Sequence, residues 1–246
     1  MLKVPRRLMT RHVTSTNPDE KFNEEIAFWK REIDNYLKWY TGEIDSFYGH
    51  PAPSEKEKVK TPKLEHSAIL TWLELHQKPK YLVDLAVDKK AFSGLKVLDI
   101  GAGPMPSGLV FEKVKLYCLD PLVGRYLSAG FPIHYYDDAK FINASSEDMP
   151  FDDNYFDVVV SVNAIDHVDD LNKTSREIQR VLKPGGKLAL HVHYHQPTDT
   201  EPLVINDRVL KRCFKWAKNF KKVSASQQEY RSNVPKGQQY ALWRNF

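Results

Sequence analysis

The sequence predicts an α/β protein, a parallel sheet with helices on both faces, preceded by a helical appendage. Three observations carry this. From Lys96 onward, short apolar runs of strand type alternate with helical segments, and strands that alternate with helices pair in parallel. Before that point the chain has helical periodicity and linker composition but no strand texture. The first strand, "KVLDI", runs straight into a glycine turn, "GAGPMPSG", and such a turn forms a ligand pocket at the carboxyl edge of the sheet. The expected division is an appendage or lid over 1–92 and a sheet domain over 93–246.

The elements follow in order. Asn17-Pro18-Asp19-Glu20 offers an N-cap, a proline at the first helical position and an acid three residues after the cap. Phe22, Ile26, Trp29, Ile33, Leu37 and Tyr40 then recur at three- and four-residue steps, one face of a helix. His50–Pro62 is polar and proline-rich and reads as a loop. Two shorter helical patterns cover Leu64–His76 and Tyr81–Ala91. Strands are predicted at Lys96–Ile100, Lys115–Asp120, Phe141–Ser145, Phe156–Val162 and Lys187–Tyr194, with a helix over Asp169–Leu182. Asn206 opens another helix, and two late strands lie near Val223–Tyr230 and Gln239–Trp243.

Composition narrows the class. The 246 residues are 41% hydrophobic and 28% charged, ordinary for a globular protein with a sizeable core. A formal charge of +4 permits an anionic partner without arguing for one. Cys118 and Cys213 have no partners at metal-ligand spacing, so the expected compartment is reducing and cytoplasmic. No apolar run reaches the length of a membrane span. The basic start, "MLKVPRRLMTRHVTST", lacks an apolar core and reads as a flexible arm or a cover over the site, not a secretory signal.

The glycine turn carries the first chemical information. Dinucleotide sites place a pyrophosphate on the helix N-terminus with the pattern G-x-G-x-x-G. Here the turn reads Gly101-Ala102-Gly103-Pro104-Met105-Pro106, and the sixth position is proline. Two prolines remove N–H donors where a phosphate would dock. Asp99, just ahead of the turn, suits a cationic ligand, although a turn-capping role accounts for it equally well. Asp120 ends the next strand 21 residues later, where an acid hydrogen-bonds ribose hydroxyls in nucleoside sites.

With "SSEDMPFDDNYFDVVVSVNAIDHVDD" and "REIQRVLKPGGKLAL" added, the chain resembles the class I S-adenosylmethionine-dependent methyltransferases. The elements stand in the same order: D-x-G-x-G, an acid after the second strand, E-D-x-P-F, F-D-x-V-x-S, H-V-x-D and L-K-P-G-G. The N-terminal "FW", "LDIGAGP", "NAIDH" and "LWRN" look more narrowly like bacterial-type members of undefined substrate. The resemblance implies a doubly wound, mostly parallel seven-stranded sheet of Rossmann-like type with one antiparallel strand near the C-terminus. It implies S-adenosylmethionine as cofactor. Asp99 would hold the ammonium side, the turn Gly101-Ala102-Gly103 would face the methionine and ribose part, and Asp120 would bind the ribose. Ser145 and Ser146 stand where relatives carry an acid and a small residue at the adenine amine, so Ser146 and Glu147 are expected at the cofactor. Asn163 would lie near the methyl-donor sulfur. Met105 replaces a third glycine found in many relatives.

The acceptor side is read from the residues. "HVHYH" places His191, His193 and His195 on one face of a strand. Such a row can bind a transition metal, but on a central strand it reads first as core, so no metal is assigned. His195, nearest the carboxyl end, is expected in the acceptor pocket. His167 is suited to take a proton from an acceptor, and the adjacent Asp166 to orient it. The catalytic set is therefore His167, His195 and Asp166. Tyr36, Trp39, Tyr40 and Phe47 would either form a lid or simply pack the appendage. Arg208, Lys211, Arg212, Lys215, Lys218, Lys221 and Lys222 read as a solvated helix face, so nucleic acid is not the expected partner. The expected function is methyl transfer to a small-molecule acceptor, with oxygen first. The rivals are an RNA methyltransferase, a non-catalytic cofactor-binding module and a nicotinamide dehydrogenase. Oligomeric state is not readable.

Overall fold

Seven strands pair into one sheet in a computed structural model of the chain, which describes residues 18–195, 198, 201, 203–226 and 239–246. They are β1 (Lys96–Ile100), β2 (Lys115–Leu119), β3 (Ala139–Ile142), β4 (Phe156–Val162), β5 (Leu182–Tyr194), β6 (Lys221–Ser226) and β7 (Gln239–Arg244). The spatial order is β3-β2-β1-β4-β5-β7-β6. The first five run parallel, and β7 runs antiparallel between β5 and β6. This is the expected doubly wound, mostly parallel sheet. The strand order reverses between β1 and β4, the switch point where such sheets bind ligands beyond their carboxyl ends.

The helices are α1 (Pro18–Thr41), α2 (Leu64–Trp72), α3 (Lys78–Leu85), α4 (Val123–Ala129), α5 (Leu171–Val181) and α6 (Asp207–Cys213). A π-helical stretch, Leu73–Gln77, joins α2 to α3 in one continuous run. The sequence predicts a break there and a second helix out to Ala91. The widened turn instead carries the run through Pro79, which has no N–H, and it ends at Ala86 in the left-handed region at φ 50°. A two-rung ribbon, Ser46–Phe47 with His50–Pro51, follows α1 where a loop was expected from His50.

After β1 the chain makes a 3-10 turn, Ser107–Val110, where Pro104 and Pro106 withhold two N–H donors from an α-helix. Two strand expectations shift. β3 starts two residues earlier than its apolar run suggests. β5 begins at Leu182, taking "KPGG" into the strand through a register break against β4. The basic start of the chain, the Asn17 cap and the latter part of the Val223–Tyr230 strand lie outside the described residues. No described helix is long and apolar enough to cross a membrane.

Three apolar clusters hold these elements. On one face of the sheet, Leu98, Val159, Leu190 and Trp243 pack on Ile178 of α5 and on Leu210 and Phe214. On the other, Val97, Val158, Ala189 and the free, buried Cys118 pack on Tyr81 and Leu85 of α3. The third joins Tyr36 and Trp39 of α1, Ile69 and Trp72 of α2, and Leu122, Tyr126 and Phe131 around α4. The N-terminal helices thus share cores with the sheet layer.

Candidate functional site

One cavity of about 1050 Å³ runs between α1 and the carboxyl ends of β1, β2, β4 and β5. The glycine turn forms its floor. Gly101 adopts φ 69°, and a Cβ there would lie 2.2 Å from Cβ of Ala164, so no other residue fits. Gly103, at φ 64°, donates its N–H to Asp120 Oδ2 at 3.0 Å. Leu122 N–H donates to the other Asp120 oxygen at 2.9 Å. Burial raises the Asp120 carboxyl to about 6 against these two bonds. Asp99 is 2% exposed. Its Oδ1 accepts from the Tyr81 hydroxyl at 2.5 Å, while Oδ2 is buried with no hydrogen-bond partner in the structure. Burial raises its carboxyl to about 7; the Tyr81 bond opposes the shift and Asp120 adds to it.

At the next strand ends, Ser146 Oγ meets Thr174 Oγ1 at 2.9 Å, and Ser145 Oγ donates to Glu147 Oε2 at 2.5 Å. Glu147 Oε1 accepts from the N–H groups of Asp169 and Asp170 at 2.8 and 3.2 Å. Glu147 therefore ties two loops of the cavity wall together while lining the cavity itself. Asn163, left-handed at φ 51°, accepts from Nδ1 of His191 at 3.0 Å. Burial lowers the His191 imidazole to about 4, so it stays neutral. Its ring stacks on Tyr240, the core role expected for it.

The acceptor end is built from β4, β5 and the loop that follows. Asp166 Oδ2 lies 3.2 Å from His195 Nε2, so Asp166 orients His195, not His167 beside it in sequence. Burial acts to raise the Asp166 carboxyl, but the His195 hydrogen bond and the nearby His167 outweigh it and hold the group below the usual carboxylate range. His167 faces Glu201, with Nε2 to Oε1 at 3.6 Å, and the other Glu201 oxygen lies 3.6 Å from His195 Nδ1. Asp166, His167, His193 and Glu201 line the cavity; His195 stands directly behind them. Opposite, α1 contributes Phe22, Phe28, Trp29, Glu32 and Tyr36. Of the four aromatic residues weighed as lid or packing, Tyr36 reaches the cavity. Trp39, Tyr40 and Phe47 serve packing, with Trp39 fully buried and its indole N–H bonded to the Pro51 carbonyl at 2.8 Å.

Residues 98–190 match the family described as a methyltransferase domain. The ubiquinone/menaquinone biosynthesis C-methyltransferase UbiE of Hahella chejuensis is 42% identical over 126 residues, 46% of this chain and 49% of that protein. The uncharacterized methyltransferase YcgJ of Bacillus subtilis is 31% identical over 103 residues, 40% of this chain and 41% of that one. The crystal structure of YcgJ shares the fold, with a TM-score of 0.52 at 17% identity over 69% of this chain and 97% of that one. Residues 98–190 form a class I S-adenosylmethionine-dependent methyltransferase domain. The chain spans about half or less of the length of these curated relatives.

The residues of this methyltransferase domain fit its cofactor. The unpaired Asp99 oxygen calls for a donor such as an ammonium. The Gly101 turn lets a ligand approach the backbone, and each Asp120 oxygen accepts one backbone N–H, leaving acceptor capacity for ribose hydroxyls. Sequence reasoning did not single out Tyr81 or Glu201 or give Trp29 a site role. Tyr81 meets Asp99 across 18 residues with no spacing signal. Glu201 sits in a polar loop of unremarkable composition. Trp29 belongs to the apolar face of α1 and reads as packing.

Proposed function

We propose that this chain transfers a methyl group from S-adenosylmethionine to an oxygen of a small-molecule acceptor held between α1 and the sheet. When bound, the cofactor would supply a sulfonium methyl carbon open to attack by an acceptor lone pair, the C–S electron pair leaving with the sulfur. Asp99, the Gly101 turn and Asp120 hold one end of the cavity for it. The reading is carried by what else lines the same cavity: the His167 imidazole, with Glu201 at 3.6 Å. His167 is positioned to receive the acceptor proton there. The N-terminal segment acts as the cover, with Trp29 and Tyr36 excluding water and orienting an acceptor that has an apolar body.

Two features argue against nucleic acid as the acceptor. None of the basic residues from Arg208 to Lys222 lines the cavity. Lys211 lies over the Trp243 ring, and Lys222 pairs with Asp207 at 2.6 Å. A carbon acceptor is the second reading, favoured by the name of the UbiE relative. Transfer of labelled methyl to panels of hydroxylated, amine and carbon-acid compounds tests the proposal. Label in a methyl ether is the expected product. Label on carbon alone selects the second reading, and tight cofactor binding without transfer to any panel member indicates a binding module instead.

A further inference from the structure

Asp166, His193, His195 and Glu201 each offer one ligand atom, and all four atoms lie within 4.8 Å of one another. The sheet brings them together. His193 and His195 are alternate residues at the end of β5, on one face, with rings 4.7 Å apart. Asp166 follows β4, the neighbouring strand. Glu201 reaches them too, its N–H donating to Thr198 Oγ1 at 3.0 Å. We propose that these four side chains form a binding site for one divalent transition-metal ion, placed to hold the acceptor oxygen.

Three observations support this. The first is charge. Asp166 is 1% exposed and Glu201 half-buried, and among the described residues their ion-pair partners are histidines. Two carboxylates withdrawn from water beside one His195 ring, at 3.2 and 3.6 Å, form an anionic cluster that a divalent cation would compensate. The second is an unmet ligand. Asp166 Oδ1 is buried with no hydrogen-bond partner among the described residues, and Asp166 lines the cavity. The third is the donor set. Two imidazoles and two carboxylates suit zinc, cobalt, nickel, iron or manganese rather than the all-oxygen cages of calcium. Around an ion with bonds of about 2.0–2.2 Å the ligand atoms stand ~3–4 Å apart, so the cluster need only draw in modestly. The set differs from the row legible in the sequence: His191 is occupied by Asn163 and Tyr240, and the carboxylates replace it.

The site faces the cavity through Asp166, His193 and Glu201, so an ion there has positions open to an acceptor. A bound hydroxyl would be polarised by the ion acting as a Lewis acid, and its oxygen fixed in place. This role rests on the proposed methyl transfer; metal binding itself does not. The test is a titration of the chelator-stripped full chain with cobalt(II), read by visible d–d absorption and by calorimetry. One ion per chain is expected, with affinity lowered ~10-fold or more in His193→Ala and in Glu201→Gln, each checked for folding by circular dichroism. Absence of one-to-one binding of cobalt(II), zinc(II) and manganese(II) by folded, cofactor-binding wild type would overturn the site. Binding that both variants retain at wild-type affinity would place the ion elsewhere and overturn it equally. One-to-one binding lost in the variants, with no methyl transfer by any form, would keep the metal site and remove only the proposed reaction.

Discussion

Asp99 has one oxygen bonded to Tyr81 and the other unpaired beneath the glycine turn, and its carboxyl is raised to about 7, chiefly by burial. The raised value has a definite sign. Asp99 favours the apo fold fully below about pH 4, its unfolded value, and that contribution is lost as pH rises through about 7. Asp120, raised to about 6, acts in the same direction. Asp99→Asn removes the Asp99 term, so the apo variant is expected to melt several degrees above wild type at pH 8 and close to it at pH 5. Cofactor affinity should move oppositely. The ammonium is held by the ionised carboxylate, so wild-type affinity rises between pH 6 and 8. The Asn variant lacks the rise and binds ~10- to 100-fold more weakly at pH 8. Calorimetric melts and binding isotherms at the two pH values check both halves. Gly101→Ala combines a positive φ with a contact to Ala164 that no rotamer relieves; it should lose about 2–4 kcal/mol in denaturant unfolding. At this scale Asp99, Asp120 and the glycines were legible because each belongs to a short local pattern. Tyr81 was not, because its partner lies in another element.

Register explains what was legible at the scale of elements. Val158 pairs with Lys187 and Val162 with His191, so a residue on β4 stands beside one 29 positions later on β5. Continued past the strand ends, the same offset puts Asp166 beside His195. Each strand could be read from its apolar run, but the offset could not, because the break at "KPGG" sets it. The prolines of the glycine turn are visible in the sequence, and the N–H groups they lack disfavour a phosphate. Their structural consequence, a 3-10 turn in place of a helix, follows from the same missing N–H groups. The α1 helix shows the converse. Its periodicity was plain, but which apolar residue packs and which faces ligand depends on where α4 sits. Trp29 meets Tyr126 and Phe131 edge-on at 6.4 and 5.9 Å and lines the cavity above Gly103. Trp29→Ala should therefore act twice, reducing stability by about 1–3 kcal/mol and weakening cofactor binding. Denaturant unfolding together with a binding isotherm measures both. Lost stability with unchanged affinity would reduce Trp29 to packing.

On the scale of the whole molecule, the cavity is where α1 and the sheet meet, so its contents should couple the two. The two ends of α1 are held differently. Its C-terminal half is buried, with Tyr36 stacked on Trp72 and Trp39 edge-on to it. Its N-terminal half adds polar contacts to the partial packing of Phe22, Ile26 and Trp29. Arg125 reaches Asn23 and Asp19 at 2.9 and 2.6 Å, and Lys21 reaches the His167 carbonyl and Asp169. An exposed pair such as Arg125–Asp19 contributes only about 0–1 kcal/mol, so the first turns of α1 should open locally before the sheet does. Phe22, Glu25, Phe28 and Trp29 of those turns line the cavity. A ligand that touches them adds its binding free energy to the closed form, about 2.7 kcal/mol at a hundred times its dissociation constant. Hydrogen exchange with and without S-adenosylmethionine should therefore show slowed exchange over 18–30 as well as over the glycine turn. The double variant Lys21→Ala with Arg125→Ala should speed exchange over 18–30 in the ligand-free protein and leave the strands unchanged. Protection confined to the glycine turn and the end of β2 would mean that α1 packs beside the cofactor site without closing on it.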